Sequence, residues 1–196
     1  MSNITVTEQG FIDYLEKLVN QNDRGAIANL RRGLGKPPGA VPQMDRYILK
    51  FLSEDTLEQE EPYYLVASLF ALWHQGRDKA ETAEGNLGRS LRELVEREKD
   101  PHKKDNLEKS IERRLVALLN SHRDDLPHHL RQILGLLRAK DVPVNWGRLL
   151  SDVKHWESDN RWVQKQWARG FWMLPHPDSQ EGTIAAGKTV SQTDTY

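Results

Sequence analysis

Apolar residues recur along this chain at three- and four-residue intervals, and nowhere in a sustained alternation of two. That period belongs to helices that bury one face, so the fold class it specifies is all-α. The first stripe, Phe11, Tyr14, Leu15, Leu18 and Val19, predicts a helix over 8–20. A second is expected from Asp23, as N-cap, through Ile27, Leu30 and Leu34, stopping at Gly33 or Gly35. The Gly- and Pro-rich stretch GLGKPPGAVP follows as a loop, and a third helix carries Met44, Tyr47, Ile48, Phe51 and Leu52. A fourth opens near Pro62 and is apolar almost all round, the mark of a central helix. A fifth carries Leu87, Leu91, Leu94 and Val95. Later stripes are Leu107, Ile111, Leu115, Leu118 and Leu119; then Leu126, Leu130, Ile133, Leu134 and Leu137; then Trp146, Leu149, Leu150 and Val153; and a last helix over 160–174. The polar stretch KDPHKKD, 99–105, reads as a break. The expected architecture is two small stacked helical bundles, 1–100 and 104–175, with a disordered tail at 176–196 where periodicity ceases.

Composition narrows the function classes. The chain has no Cys, which removes disulfides, thiolate zinc sites and a cysteine nucleophile. No long apolar run and no secretory leader are evident, so a cytoplasmic location without membrane attachment is expected. The net charge of −1 hides an asymmetry: 103–175 holds 14 Lys and Arg against 9 Asp and Glu, whereas 53–61 holds five acids and no base. A polyanion responds to such a local field and not to the sum.

One string invites a nucleotide. Residues 182–189 match G-x-x-x-x-G-K-[ST]. A phosphate-binding loop must leave a buried strand and enter a helix whose N-terminal N–H groups converge on the phosphates. Here polar, Pro-containing sequence precedes and seven residues follow, so nucleotide binding is not expected. His128 and His129 are neighbours, which on a helix point about 100° apart and cannot share a metal as i, i+4 residues do. Ser53, Ser90 and Ser110 lack a nucleophile-elbow setting. The expectation is a chain without catalytic site, metal or cofactor.

What remains is cationic. Trp162, Val163, Gln166, Trp167, Gly170, Phe171 and Leu174 share one stripe of the last helix, and the Trp residues are expected in the core, with Gly170 admitting a neighbouring helix closely. Arg161, Lys165 and Arg169, at i, i+4 and i+8, predict a ridge that could track phosphates. Arg31 and Arg32 end the second helix, just before Lys36 in the loop; Arg131 and Arg138 share a face at i, i+7. Arg114, beside the Leu107 stripe, is a candidate for an internal hydrogen-bonding role.

The order of these segments resembles one family. NLRRGLGKPPG followed by Met44-Asp-Arg-Tyr47, then VNWGRLLSDVKHW and VQKQWARGFW, is similar to the small subunit of the type I-E CRISPR Cascade complex, the CasB family. The resemblance spans about 11–174 and is weak over 76–84 and in the tail. It implies a two-bundle helical fold without a catalytic site, two copies head to tail inside a crRNA-guided complex, and contacts to backbone subunits, the large subunit, crRNA and target DNA. Cleavage would belong to a recruited nuclease-helicase. Arg31 and Arg32 look like the family's nucleic-acid-facing residues; Lys36, Arg131, Arg138, Arg161, Lys165 and Arg169 rest on spacing alone. The other open reading is an adaptor subunit that meets only proteins.

Overall fold

A computed structural model of the chain describes residues 6–52 and 60–173. Among the described residues the regular structure is entirely helical: α1 (Val6–Asn20), α2 (Arg24–Arg31), α3 (Pro42–Ile48) running into a 3-10 turn (Leu49–Phe51), α4 (Glu61–Trp73), α5 (Leu87–Glu96), α6 (Pro101–Leu119), a second 3-10 turn (Arg123–Asp125), α7 (Leu126–Ala139), α8 (Trp146–Lys154) and α9 (Trp162–Trp172). The string 182–189, the tail expected to lack structure, Leu174 and acids 54–58 lie outside the described residues.

Helix starts follow local chemistry. Asp23 accepts from the Ala26 N–H at 2.9 Å, Asn86 from Arg89 at 3.1 Å and Asn145 from Arg148 at 2.9 Å, each satisfying a donor that an isolated helix end would leave orphaned. Asp100 accepts from His102 and Lys103, and Pro101 fills the first helical position. α6 therefore begins inside 99–105, the stretch expected to be a break: a capping Asp followed by Pro starts a helix more strongly than polarity ends one.

α4 is the centre. Tyr63, Tyr64, Val66, Ala67, Leu69, Phe70, Ala71 and Trp73 are all buried, and α2, α3, α7 and α8 pack around it. Gly33 lies against this centre. A Cβ there would stand 2.2 Å from Met44 Sδ and 2.8 Å from Ser68 Oγ, so a side chain after Arg31 and Arg32 would have to displace both. The buried side chains form one continuous cluster that runs through both halves of the sequence. α1 packs on α8, and α5 packs most heavily on α9 and further on α6 and α7.

Among the described residues, α5 and α9 make the most extensive helix–helix contact. A Cβ on Gly88 would lie 1.9 Å from the Trp167 carbonyl oxygen, and one on Gly170 would lie 2.3 Å from Asn86 Oδ1. Asn86 also donates Nδ2–H to the Gln166 carbonyl at 3.0 Å, so one side chain caps α5 and ties it to α9. Close approach at Gly170 agrees with the sequence reading.

Of the tryptophans, Trp73, Trp146, Trp156 and Trp167 are core residues. Trp73 and Trp146 meet edge to face with centroids 6.3 Å apart, and Trp156 and Trp167 lie at 5.1 Å. Trp162 is half-buried, whereas Trp172 stays 44% exposed, which departs from the expectation that all are core.

Candidate nucleic-acid interface

Many cations in this fold are committed to carboxylates of the same chain. Arg148 Nε lies 2.7 Å from Asp152 Oδ1, and the same arginine donates to Gln166 Oε1. Asp152 is fully buried and also accepts the Trp167 indole N–H at 2.6 Å. Burial pushes its carboxyl above the usual carboxylate range, and the Trp167 and Arg148 contacts pull it part of the way back. Lys154 Nζ meets buried Glu8 at 2.6 Å, joining α8 to α1. Arg77 bridges Asp141 at 2.5 Å and lies over the Trp73 ring, Arg92 bridges Glu108 at 2.7 Å, and Arg123 bridges Glu61 at 3.1 Å. These cations hold helices and loops to one another.

His74 is also buried, and both of its ring nitrogens find partners. Its Nδ1 faces the Phe70 carbonyl at 3.0 Å while its Nε2 accepts the Glu81 N–H at 3.2 Å. Only the neutral tautomer with the proton on Nδ1 satisfies both. Burial accordingly drives its pKa down to about 4, against a smaller opposing effect of the Phe70 hydrogen bond.

Against that background the sequence-predicted cations separate. Lys36 and Arg131 come together: both line a groove of about 730 Å³ between the loop after α2 and the start of α7. The floor includes Leu34, Pro37, Tyr64, Leu65 and Pro127, and Glu60, Glu61 and Asp124 contribute acids to its walls. Arg32 is exposed and donates to Asn29 Oδ1 at 3.1 Å. Arg31, half-buried, faces a different hollow of about 440 Å³ with Arg24 and Arg77. Sequence reading missed those two arginines, because the loop after α4 that brings Arg77 there has no periodicity to place it.

Spacing misleads at two positions. Arg138 shares a helix with Arg131, yet its Nη2 donates to the Gln75 carbonyl at 3.0 Å and it lines a separate hollow with Arg77 and Asp141. Arg161 does not belong to the expected ridge. It sits before α9 in the left-handed region, φ 50°, and its guanidinium donates to the Leu119 carbonyl. Asn160 accepts the Trp162 N–H at 3.2 Å, which starts the helix two residues later than the periodicity suggests. Lys165 and Arg169 remain, one turn apart on α9 and exposed. Arg114 is exposed and not internal; with Arg113 and His129 it lines a shallow hollow between α6 and α7.

Among the described residues, Lys36, Arg131, Lys165 and Arg169 make no ion pair with a carboxylate, and no group of three His, Asp or Glu is arranged to hold a metal. No helix among them is long and apolar enough to cross a membrane.

The sequence profile of the CRISPR-associated protein Cse2 family matches residues 26–172. The chain belongs to the Cse2 family. It is 35% identical over 166 residues to the CRISPR-associated protein Cse2 of Thermus thermophilus, covering 83% of this chain and 88% of the relative. The crystal structure of CasB from Thermus thermophilus superposes with a TM-score of 0.67 at 33% identity, over 84% of this chain and 97% of that one. A chain of a CRISPR RNA-guided surveillance complex superposes with a TM-score of 0.67 at 25% identity, over 86% of this chain and 93% of that one. The all-α fold of this Cse2-family chain is thus shared with solved relatives. The profile match begins inside α2; α1, ahead of it, packs on α8 and α2.

Proposed function

We propose that this Cse2-family chain is the non-catalytic small subunit of a type I-E crRNA-guided surveillance complex, where its basic surfaces stabilise the R-loop without reading sequence. The carrying observation is the division of cations. Lys36, Arg131, Lys165 and Arg169 are exposed and lack carboxylate partners among the described residues, whereas Arg77, Arg92, Arg97, Arg123 and Arg148 are each paired within the fold. Exchanging a DNA duplex for a guide–target hybrid is nearly balanced in energy, so a few phosphate contacts tip it. Each contact releases counterions, and the gain falls steeply as salt rises.

The held nucleic acid is the displaced strand, the hybrid, or both, and Arg31, Arg32, Arg138 and Arg161 contribute where their existing hydrogen bonds allow. The partners in this reading are crRNA, target DNA, the backbone and large subunits, and a second copy placed head to tail, all in the cytoplasm. The test is R-loop affinity of the assembled complex. Lys36→Glu with Arg131→Glu, and separately Arg31→Glu with Arg32→Glu, should each weaken it about 10-fold or more and flatten its salt dependence. Unchanged affinity in both double variants discards the reading.

A second reading has one specific observation behind it. The groove that holds Lys36 and Arg131 also holds Glu60, Glu61 and Asp124 over an apolar floor, which suits a protein partner. A full chain that shows no salt-sensitive binding to single-stranded DNA, and complexes that fail to assemble when the groove is altered, would favour an adaptor.

A further inference from the structure

α9 divides its residues cleanly. Val163, Gln164, Trp167 and Phe171 are buried. Lys165, Arg169 and Trp172 are exposed, and at 100° per residue they fall within about 60° of arc on the opposite side of the helix. Four of the six tryptophans are buried, so a 44%-exposed indole at the end of a cationic stripe departs from the pattern of this chain. Trp172 meets the buried Phe171 ring edge to face, with centroids 5.3 Å apart and planes at 87°, a contact that leaves much of the indole surface free. Met173, 63% exposed, adds an apolar shoulder beside it. Neither Lys165 nor Arg169 is ion-paired among the described residues.

We propose that Trp172 is a base-stacking platform for single-stranded nucleic acid, with Lys165 and Arg169 holding the adjoining phosphates. The proposal rests on the nucleic-acid reading above and sharpens its ligand. A base inside a duplex or hybrid already has both faces covered by neighbours, so an exposed indole selects an unpaired strand. Lys165 and Trp172 are separated by about 10 Å along the axis, which lets a strand laid on α9 meet the two cations and then the ring. Stacking tolerates any base because every base has a π face, so this site reads strandedness and not sequence.

The experiment compares the full chain with Trp172→Ala, Trp172→Phe and the pair Lys165→Glu with Arg169→Glu, binding an oligothymidine strand and an abasic strand of equal length. Trp172→Ala should weaken oligothymidine binding by about 5- to 100-fold, leave the abasic strand and the salt slope unchanged, and leave thermal stability intact. Trp172→Phe should retain most of the affinity. The double charge reversal should weaken both strands and flatten the salt slope. Oligothymidine affinity untouched by Trp172→Ala overturns the platform, and so does equal loss on the abasic strand. Loss of complex assembly with strand binding unaffected assigns Trp172 to a protein contact instead. If the full chain binds no strand at all, the platform is overturned, while the parent reading is decided separately by R-loop affinity in the assembled complex.

Discussion

The α5–α9 crossing and the groove between the α2–α3 loop and α7 use similar residue types to opposite ends. At the crossing, glycines remove bulk and every named polar group has work inside the fold: Asn86 caps one helix and holds the other, and Arg148, Gln166, Asp152 and Trp167 interlock. In the groove, Lys36 and Arg131 face open space without carboxylate partners among the described residues. Polar chemistry satisfied internally specifies the structure; polar chemistry left unsatisfied at the surface is available to another molecule.

The largest effect is expected at Gly88. Its missing Cβ would collide with backbone, which cannot swing aside as a side chain end can. Gly88→Ala should cost about 3 kcal/mol or more in denaturant unfolding, and a near-neutral result would show the crossing to be loose. His74 comes next. Because its folded pKa, about 4, lies below the unfolded value of 6.5, the unfolded chain binds more protons between those limits. Its contribution is therefore complete above pH 6.5 and is lost as pH falls toward 4, about 3 kcal/mol in all. Urea unfolding across that range should show this slope, and His74→Gln should flatten it.

Asp152→Asn should cost about 2 kcal/mol: the amide keeps an acceptor for the Trp167 indole but leaves Arg148 without its buried carboxylate. Calorimetric melting reads it. The groove should behave in the reverse manner. Lys36→Ala and Arg131→Ala should move folding stability by less than about 0.5 kcal/mol while weakening nucleic-acid binding in low salt. If these substitutions instead unfold the chain, the two regions are not different in kind.

The helices were legible because one buried face imposes its period on the sequence, and a cap such as Asp23 announces its own start. Gly170 could be read as a close approach because it sits on the apolar stripe of α9; Gly88 sits on the buried face of α5 in the same way, and its role against the Trp167 carbonyl was overlooked. The site was less legible. Periodicity says that Arg131 and Arg138 share a helix face, but it cannot say that the end of α4 captures one of them through Gln75. Nor does i, i+4, i+8 spacing reveal that Arg161 turns left-handed and spends its guanidinium on Leu119. Trp172 was the legible exception among the late tryptophans: helical spacing sets it off the apolar stripe and beside Lys165 and Arg169, and the structure leaves it 44% exposed.

The Lys154–Glu8 pair has a consequence for synthesis. α1 leaves the ribosome before the other described helices, and it packs on α8, one of the last of them. Glu8 meets the Lys154 ammonium only after nearly all of the matched Cse2 stretch has been made. A contact of such long sequence separation closes late, because the loop entropy must be spent before the contact rewards it. Until then the nascent chain carries Phe11, Leu15 and Val19 on a helix whose docking surface is incomplete, and that surface is completed only when α8 has been made.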